Sequence, residues 1–95
     1  MKRHEIINLL ITKNNYKSYL EIGLDNGFNF SRIEINNKIS VDPALGQYSH
    51  ANPTYKLTSD DFFSQNKNRY DIIFIDGLHH SEQVYKDIKN SFPFV

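Results

Sequence analysis

The chain has 95 residues, 39% of them hydrophobic, enough for one small domain that buries a smaller share of its surface than a larger protein would. Eleven basic residues balance eleven acidic ones and no basic block occurs, so nothing favours electrostatic capture by nucleic acid or an anionic membrane. Cysteine is absent, which excludes disulfides and thiolate metal sites and agrees with a reducing compartment. The basic N-terminus, Met1-Lys2-Arg3-His4, leads into apolar residues that Glu5, Asn8 and Lys13 interrupt, with no small-residue cleavage site. No apolar run approaches the ~20 residues of a membrane span. The expectation is a cytoplasmic chain with a small-molecule partner and neither nucleic acid nor membrane.

Ile6, Ile7, Leu10 and Ile11 recur at helical spacing within residues 3 to 13, and Lys13-Asn14-Asn15 supplies a stop. Ser18 to Ile22 is the first expected strand. It ends at Glu21-Ile22-Gly23-Leu24-Asp25-Asn26-Gly27, where two glycines let the backbone turn sharply into a helix over Phe28 to Ile35. Lys38 to Asp42 is the second expected strand, closed by Pro43, which cannot continue a ladder. Residues 44 to 53 show no period and are expected to be a loop that covers a pocket.

Thr54-Tyr55-Lys56-Leu57 is expected as a third strand. Thr58-Ser59-Asp60-Asp61 has the hydroxyl cap and first-turn acids of a helix start, leading into Phe62-Phe63-Ser64-Gln65-Asn66. The unbroken run Ile72 to Ile75 suits a fourth strand buried on both faces. After Asp76-Gly77-Leu78-His79-His80, Ser81 begins a helix through Val84, Tyr85 and Ile88 that ends at Ser91-Phe92-Pro93. Alternation of this kind predicts an α/β domain with parallel strands joined by right-handed crossovers.

The carboxyl ends of parallel strands converge on one edge, so Glu21, Asp42 and Asp76 are expected along one crevice. Gly23 and Gly27 allow a ligand close to the backbone, and Asp42 follows Gly23 by 19 residues, near the ~20-residue spacing of an acid that binds a ribose diol. An adenosine-containing ligand is therefore expected. A dinucleotide would place its pyrophosphate over the glycine turn, where Glu21 repels it. A cationic ligand such as S-adenosylmethionine suits that carboxylate, and a nicotinamide-dinucleotide-binding domain of the dehydrogenase type ranks behind it.

These residues resemble the class I S-adenosylmethionine-dependent methyltransferases, in particular the small methyltransferase-like domains of bacterial sugar and natural-product pathways. Glu21 to Gly27 is similar to their first motif, with Asp25 where many members have glycine. Val41-Asp42-Pro43 is similar to the second acidic strand end, which implies ribose contact by Asp42. Thr58 to Phe63 resembles the segment whose Ser59 or Asp60 would face adenine. Tyr70 to His80 resembles the fourth-strand motif, in which an acid and a histidine serve a divalent metal or the acceptor hydroxyl, here Asp76 and His79.

The resemblance implies a partial Rossmann-like three-layer sandwich of four parallel strands in order 3-2-1-4, with residues 1–17 an N-terminal helix and 18–95 the cofactor-binding half. It implies methyl transfer to a small hydroxylated acceptor, with Glu21, Gly23, Gly27, Asp42, Ser59 and Asp60 at the cofactor and Asp76 and His79 in catalysis. The family's sheet has seven strands, so the fourth strand here would be an exposed apolar edge prone to self-association. The rival expectation is a truncated, noncatalytic remnant acting as a binding or interaction module.

Overall fold

The computed structural model describes residues 1–44, 52–76 and 81–95, with the backbone alone for Ser81. In chain order it has α1 (Arg3–Asn14), β1 (Ser18–Ile22), α2 (Phe28–Ser31), β2 (Asn37–Val41), α3 (Ser59–Gln65), β3 (Ile72–Ile75) and α4 (Ser81–Ser91), which runs into a 3-10 turn at Phe92–Phe94. No helix among the described residues is long and apolar enough to cross a membrane.

The helix ends follow from local chemistry. Glu5 accepts the Lys2 backbone N–H at the start of α1, and Asn15 ends it in a left-handed conformation (φ 56°) while the Tyr16 N–H returns to the Ile11 carbonyl. The Thr58 hydroxyl accepts the Asp61 N–H and caps α3. The helix expected over Phe28 to Ile35 stops at Ser31. The Lys38 ammonium takes the carbonyls of Phe30 and Ile33, and the Arg32 guanidinium takes that of Phe28, so the oxygens that would continue the helix are already engaged.

The sheet corrects the expected four strands in order 3-2-1-4, since among the described residues it contains three parallel strands in order β2-β1-β3. Central β1 pairs Leu20 with Ile39 on one side and with Ile73 on the other. Residues 54–57 contribute a single bridge, Val41 with Tyr55. Pro53 lacks an N–H, and the Thr54 hydroxyl rather than its carbonyl accepts the Ser40 N–H, while the Ser40 hydroxyl accepts the Thr54 N–H. Side chains thus replace the ladder where a third strand would begin.

Period-two alternation along β1 separates two cores. Tyr19 packs with Ile7, Ile11 and Ile33 on the face covered by α1 and the α2 segment. Leu20 and Ile22 pack with Val41, Phe62, Phe63 and Tyr70 on the other face, under α3 and the C-terminal turn. That turn is tied down by the Tyr70 N–H, which donates to the Phe94 carbonyl at 2.6 Å, and by stacking of Phe63 on Phe94. β3 stands at the edge of the sheet and is half-buried along its length.

The β1–α2 loop takes positive φ at Gly23 (92°), Asp25 (58°) and Gly27 (85°). Asp25 occupies the middle position without a glycine because aspartate tolerates the left-handed region better than most residues. At Gly27 an added Cβ would meet nothing within 4 Å, so only backbone strain opposes a side chain. Gly27→Ala is expected to lose about 1–2 kcal/mol in urea unfolding, whereas a purely steric account predicts no loss.

Candidate active site

At the carboxyl ends of β1 and β3 lies a crevice of about 450 Å³. Its floor is the end of β1 with Glu21, Gly23 and Leu24, and one wall is Asp25, Asn26, Phe28 and Asn29. Asp76 at the end of β3 and the N-terminal residues Met1 to His4 close the other side. The position agrees with the rule that parallel sheets bind ligands beyond their strand carboxyl ends.

Glu21 is 1% exposed although it lies on the floor of this crevice. Its Oε1 accepts hydrogen bonds from the Tyr19 hydroxyl and from Asn29 Nδ2 at 2.9 Å, while Oε2 has no hydrogen-bond partner among the described residues. Burial pushes the Glu21 carboxyl above its ordinary range. The two hydrogen bonds oppose that shift, and the nearby Asp76 charge adds to it. The Tyr19 hydroxyl is pushed up as well, by burial and then by the Glu21 charge, so it stays a proton donor. Asn29 Oδ1 is buried without a hydrogen-bond partner, the one such side-chain atom among the described residues. A buried polar atom in that state costs about 1–3 kcal/mol.

The N-terminal turn of α1 brings cations to an otherwise acidic crevice. The Arg3 guanidinium pairs with the Asp76 carboxylate. Phe28 lies under the Arg32 guanidinium, 3.5 Å from the ring centroid, with the Lys2 ammonium at 5.5 Å and the His4 ring edge-on.

Of the expected site residues, Glu21, Gly23 and Asp76 meet at the crevice, and Gly27 starts the helix beside it. Asp42 sits behind the loop. Its Oδ2 accepts the Leu24 N–H at 2.8 Å and its Oδ1 accepts the Ala44 N–H at 2.6 Å, so it braces the glycine turn. Ser59 and Asp60 are engaged with α4: Ser59 donates to buried Asp87, and Asp60 accepts from Gln83 and from Lys86. His79 lies outside the described residues, as does most of the loop over 44–53. Among the described residues no cluster of three His, Cys, Asp or Glu side chains is arranged to hold a metal.

Sequence reading missed Arg3, His4, Asn29 and Tyr19. The Tyr19–Glu21 spacing, two residues apart on one strand, was a usable signal because it places both on one face. The N-terminal residues gave no signal, since only the packing of α1 carries them to the strand ends.

Two outcomes follow. Asp87→Ala leaves the Ser59 hydroxyl without its acceptor and removes the shortest hydrogen bond of the Gln83 amide, and is expected to cost about 1–3 kcal/mol in urea unfolding, with Asp87→Asn costing less because it still accepts from Ser59. Because folding raises the Glu21 pKa, the native state binds more protons than the unfolded state above the ordinary value of 4.5. Stability from this group is therefore full below that pH and falls as pH rises toward the folded value. In a pH series of unfolding free energies, Glu21→Gln is expected to remove this falling component, read as the difference between the two proteins. Comparison of the chain with protein-family models, with curated proteins and with solved structures finds no match.

Proposed function

We propose that the crevice binds S-adenosylmethionine and that the chain is the cofactor-binding half of a methyltransferase acting on a small hydroxylated acceptor. The observation that carries this reading is Glu21. It is a carboxylate at the carboxyl end of the central strand, held from below by Tyr19 and Asn29 and set beneath a loop that takes positive φ at Gly23, Asp25 and Gly27. A buried carboxylate in this position favours a cationic ligand, because an ammonium or sulfonium offsets the desolvation that raises its pKa. It disfavours the pyrophosphate of a dinucleotide for the same reason.

Asp42 takes part first as the brace of the loop. An ionised carboxylate has about four acceptor sites, and Leu24 and Ala44 use two of them. A ribose diol would share the remainder. Methyl transfer is an in-line displacement that asks the protein for alignment and for a base to take the acceptor proton. Asp76, oriented by Arg3 at the end of β3, is the group assigned to that role.

Titration calorimetry with S-adenosylhomocysteine and with NADH tests the reading. S-adenosylhomocysteine is expected to bind, Glu21→Gln to weaken it by about tenfold, the loss of one charge-assisted hydrogen bond, and NADH to give no heat. Absence of heat with S-adenosylhomocysteine, or equal binding of NADH, refutes the proposal.

A further inference from the structure

Of the eleven asparagines in the chain, Asn26 alone precedes a glycine. The pair lies in the β1–α2 loop, and Asn26 is an exposed residue on the wall of the crevice. Glycine after asparagine matters chemically, because the backbone nitrogen of the second residue is the nucleophile nearest to the side-chain amide carbon of the first. With no Cβ at Gly27, that residue puts nothing in the way of a bond between them. The space around it is open as well, since a Cβ built at Gly27 meets nothing within 4 Å. Water therefore reaches the same peptide bond.

The loop holds both reacting groups. Asn26 Oδ1 accepts the Phe28 N–H at 2.9 Å, a side-chain turn that folds the amide over the peptide bond joining Asn26 to Gly27. When the amide carbon is attacked, negative charge gathers on Oδ1, and the same N–H stabilises it there. The Gly27 N–H donates to the Leu24 carbonyl at 3.0 Å, so this bond opens before base takes the Gly27 proton. Asp25 and Asn26 in that turn are exposed, and its opening does not require the sheet to unfold.

We propose that Asn26 is a site of spontaneous modification in the folded chain, where the Gly27 nitrogen attacks Asn26 Cγ and closes a five-membered imide. The bond from Gly27 N to Asn26 Cγ forms and the bond from Cγ to the side-chain nitrogen breaks. That nitrogen leaves as ammonia, which carries the equivalent of the proton lost from Gly27. Water then opens the ring at one of its two carbonyls. Opening at Cγ leaves aspartate in an ordinary main chain, and opening at the backbone carbonyl leaves isoaspartate, with the main chain running through the side-chain carbons. The net change is amide plus water to carboxylic acid plus ammonia, with no oxidant or reductant.

Both products set a new carboxylate on a crevice that already holds Asp25 and Asp76. Isoaspartate also lengthens the main chain by one methylene immediately before α2. Asn29, three residues further on, donates to Glu21 Oε1 at 2.9 Å, so a displaced α2 reaches the floor of the crevice. This chemistry needs only water and is independent of the ligand that the crevice takes.

Incubation of the folded full chain at mildly alkaline pH, followed by trypsin digestion and mass spectrometry, tests the proposal. The peptide from Ser18 to Arg32 is expected to gain about 1 Da at Asn26 and to separate into aspartate and isoaspartate isomers, while Asn29 in the same peptide stays unchanged. The rate is expected to rise with pH and to stay flat across urea concentrations below the unfolding transition, as a local opening requires. Asn26→Gln, whose amide carbon stands one methylene further along the side chain, is expected to show no gain. An unchanged Asn26, a gain at Asn29 as fast as at Asn26, or a rate that climbs with urea in step with the unfolded fraction overturns the proposal.

Discussion

The burial of β1 from Tyr19 to Ile22 is the constraint on which the rest of the structure depends. Tyr19 and Leu20 have no exposure, and Glu21 and Ile22 have almost none, because the strand has a ladder on each side and a helical layer on each face. A strand of five residues so enclosed requires cover from elements far apart in the chain: Ile7 and Ile11 from one end, Phe62 and Phe63 from the middle. Each buried Leu or Phe contributes about 1.5–3 kcal/mol. In a domain this small a handful of such contacts is a large share of the stability available.

Within that strand Glu21 is the exception that makes a site. Its desolvation is of the same order as the gain from one neighbouring apolar residue, so its two hydrogen-bond donors decide whether the strand tolerates it. Tyr19 belongs to the same strand and Asn29 to the helix after the loop, which ties the path of residues 23–27 to the acid beneath them. Asp42 binds the same loop from behind through the Leu24 N–H. Two carboxylates at strand ends therefore do different work, one lining the crevice and the other shaping its wall.

Much of this was legible in the residues. Alternation of Tyr19 with Leu20 and of Glu21 with Ile22, the glycines after them and Pro43 after Asp42 point to parallel strands ending at a common edge. The third expected strand failed because composition alone does not reveal that the Ser40 and Thr54 hydroxyls exchange hydrogen bonds with the two backbones and end the ladder at one bridge. Ser59 and Asp60 looked like ligand contacts, but Asp87, almost thirty residues later in sequence, lies against them and takes Ser59 as a donor. Such a pairing depends on where α4 lands, which no local pattern encodes.

The sequence by itself determined the α/β class, the strand-to-helix turn after β1, the caps of α1 and α3, and the acids at the strand ends, because these depend on periodicity, φ preference and side chains near in the chain. Only the tertiary structure decided that the sheet has three strands among the described residues, that Asp42 braces the loop, and that Arg3 pairs with Asp76. Those outcomes depend on the relative placement of helices distant in sequence. That placement is set by packing against both faces of β1, not by the preferences of any one segment.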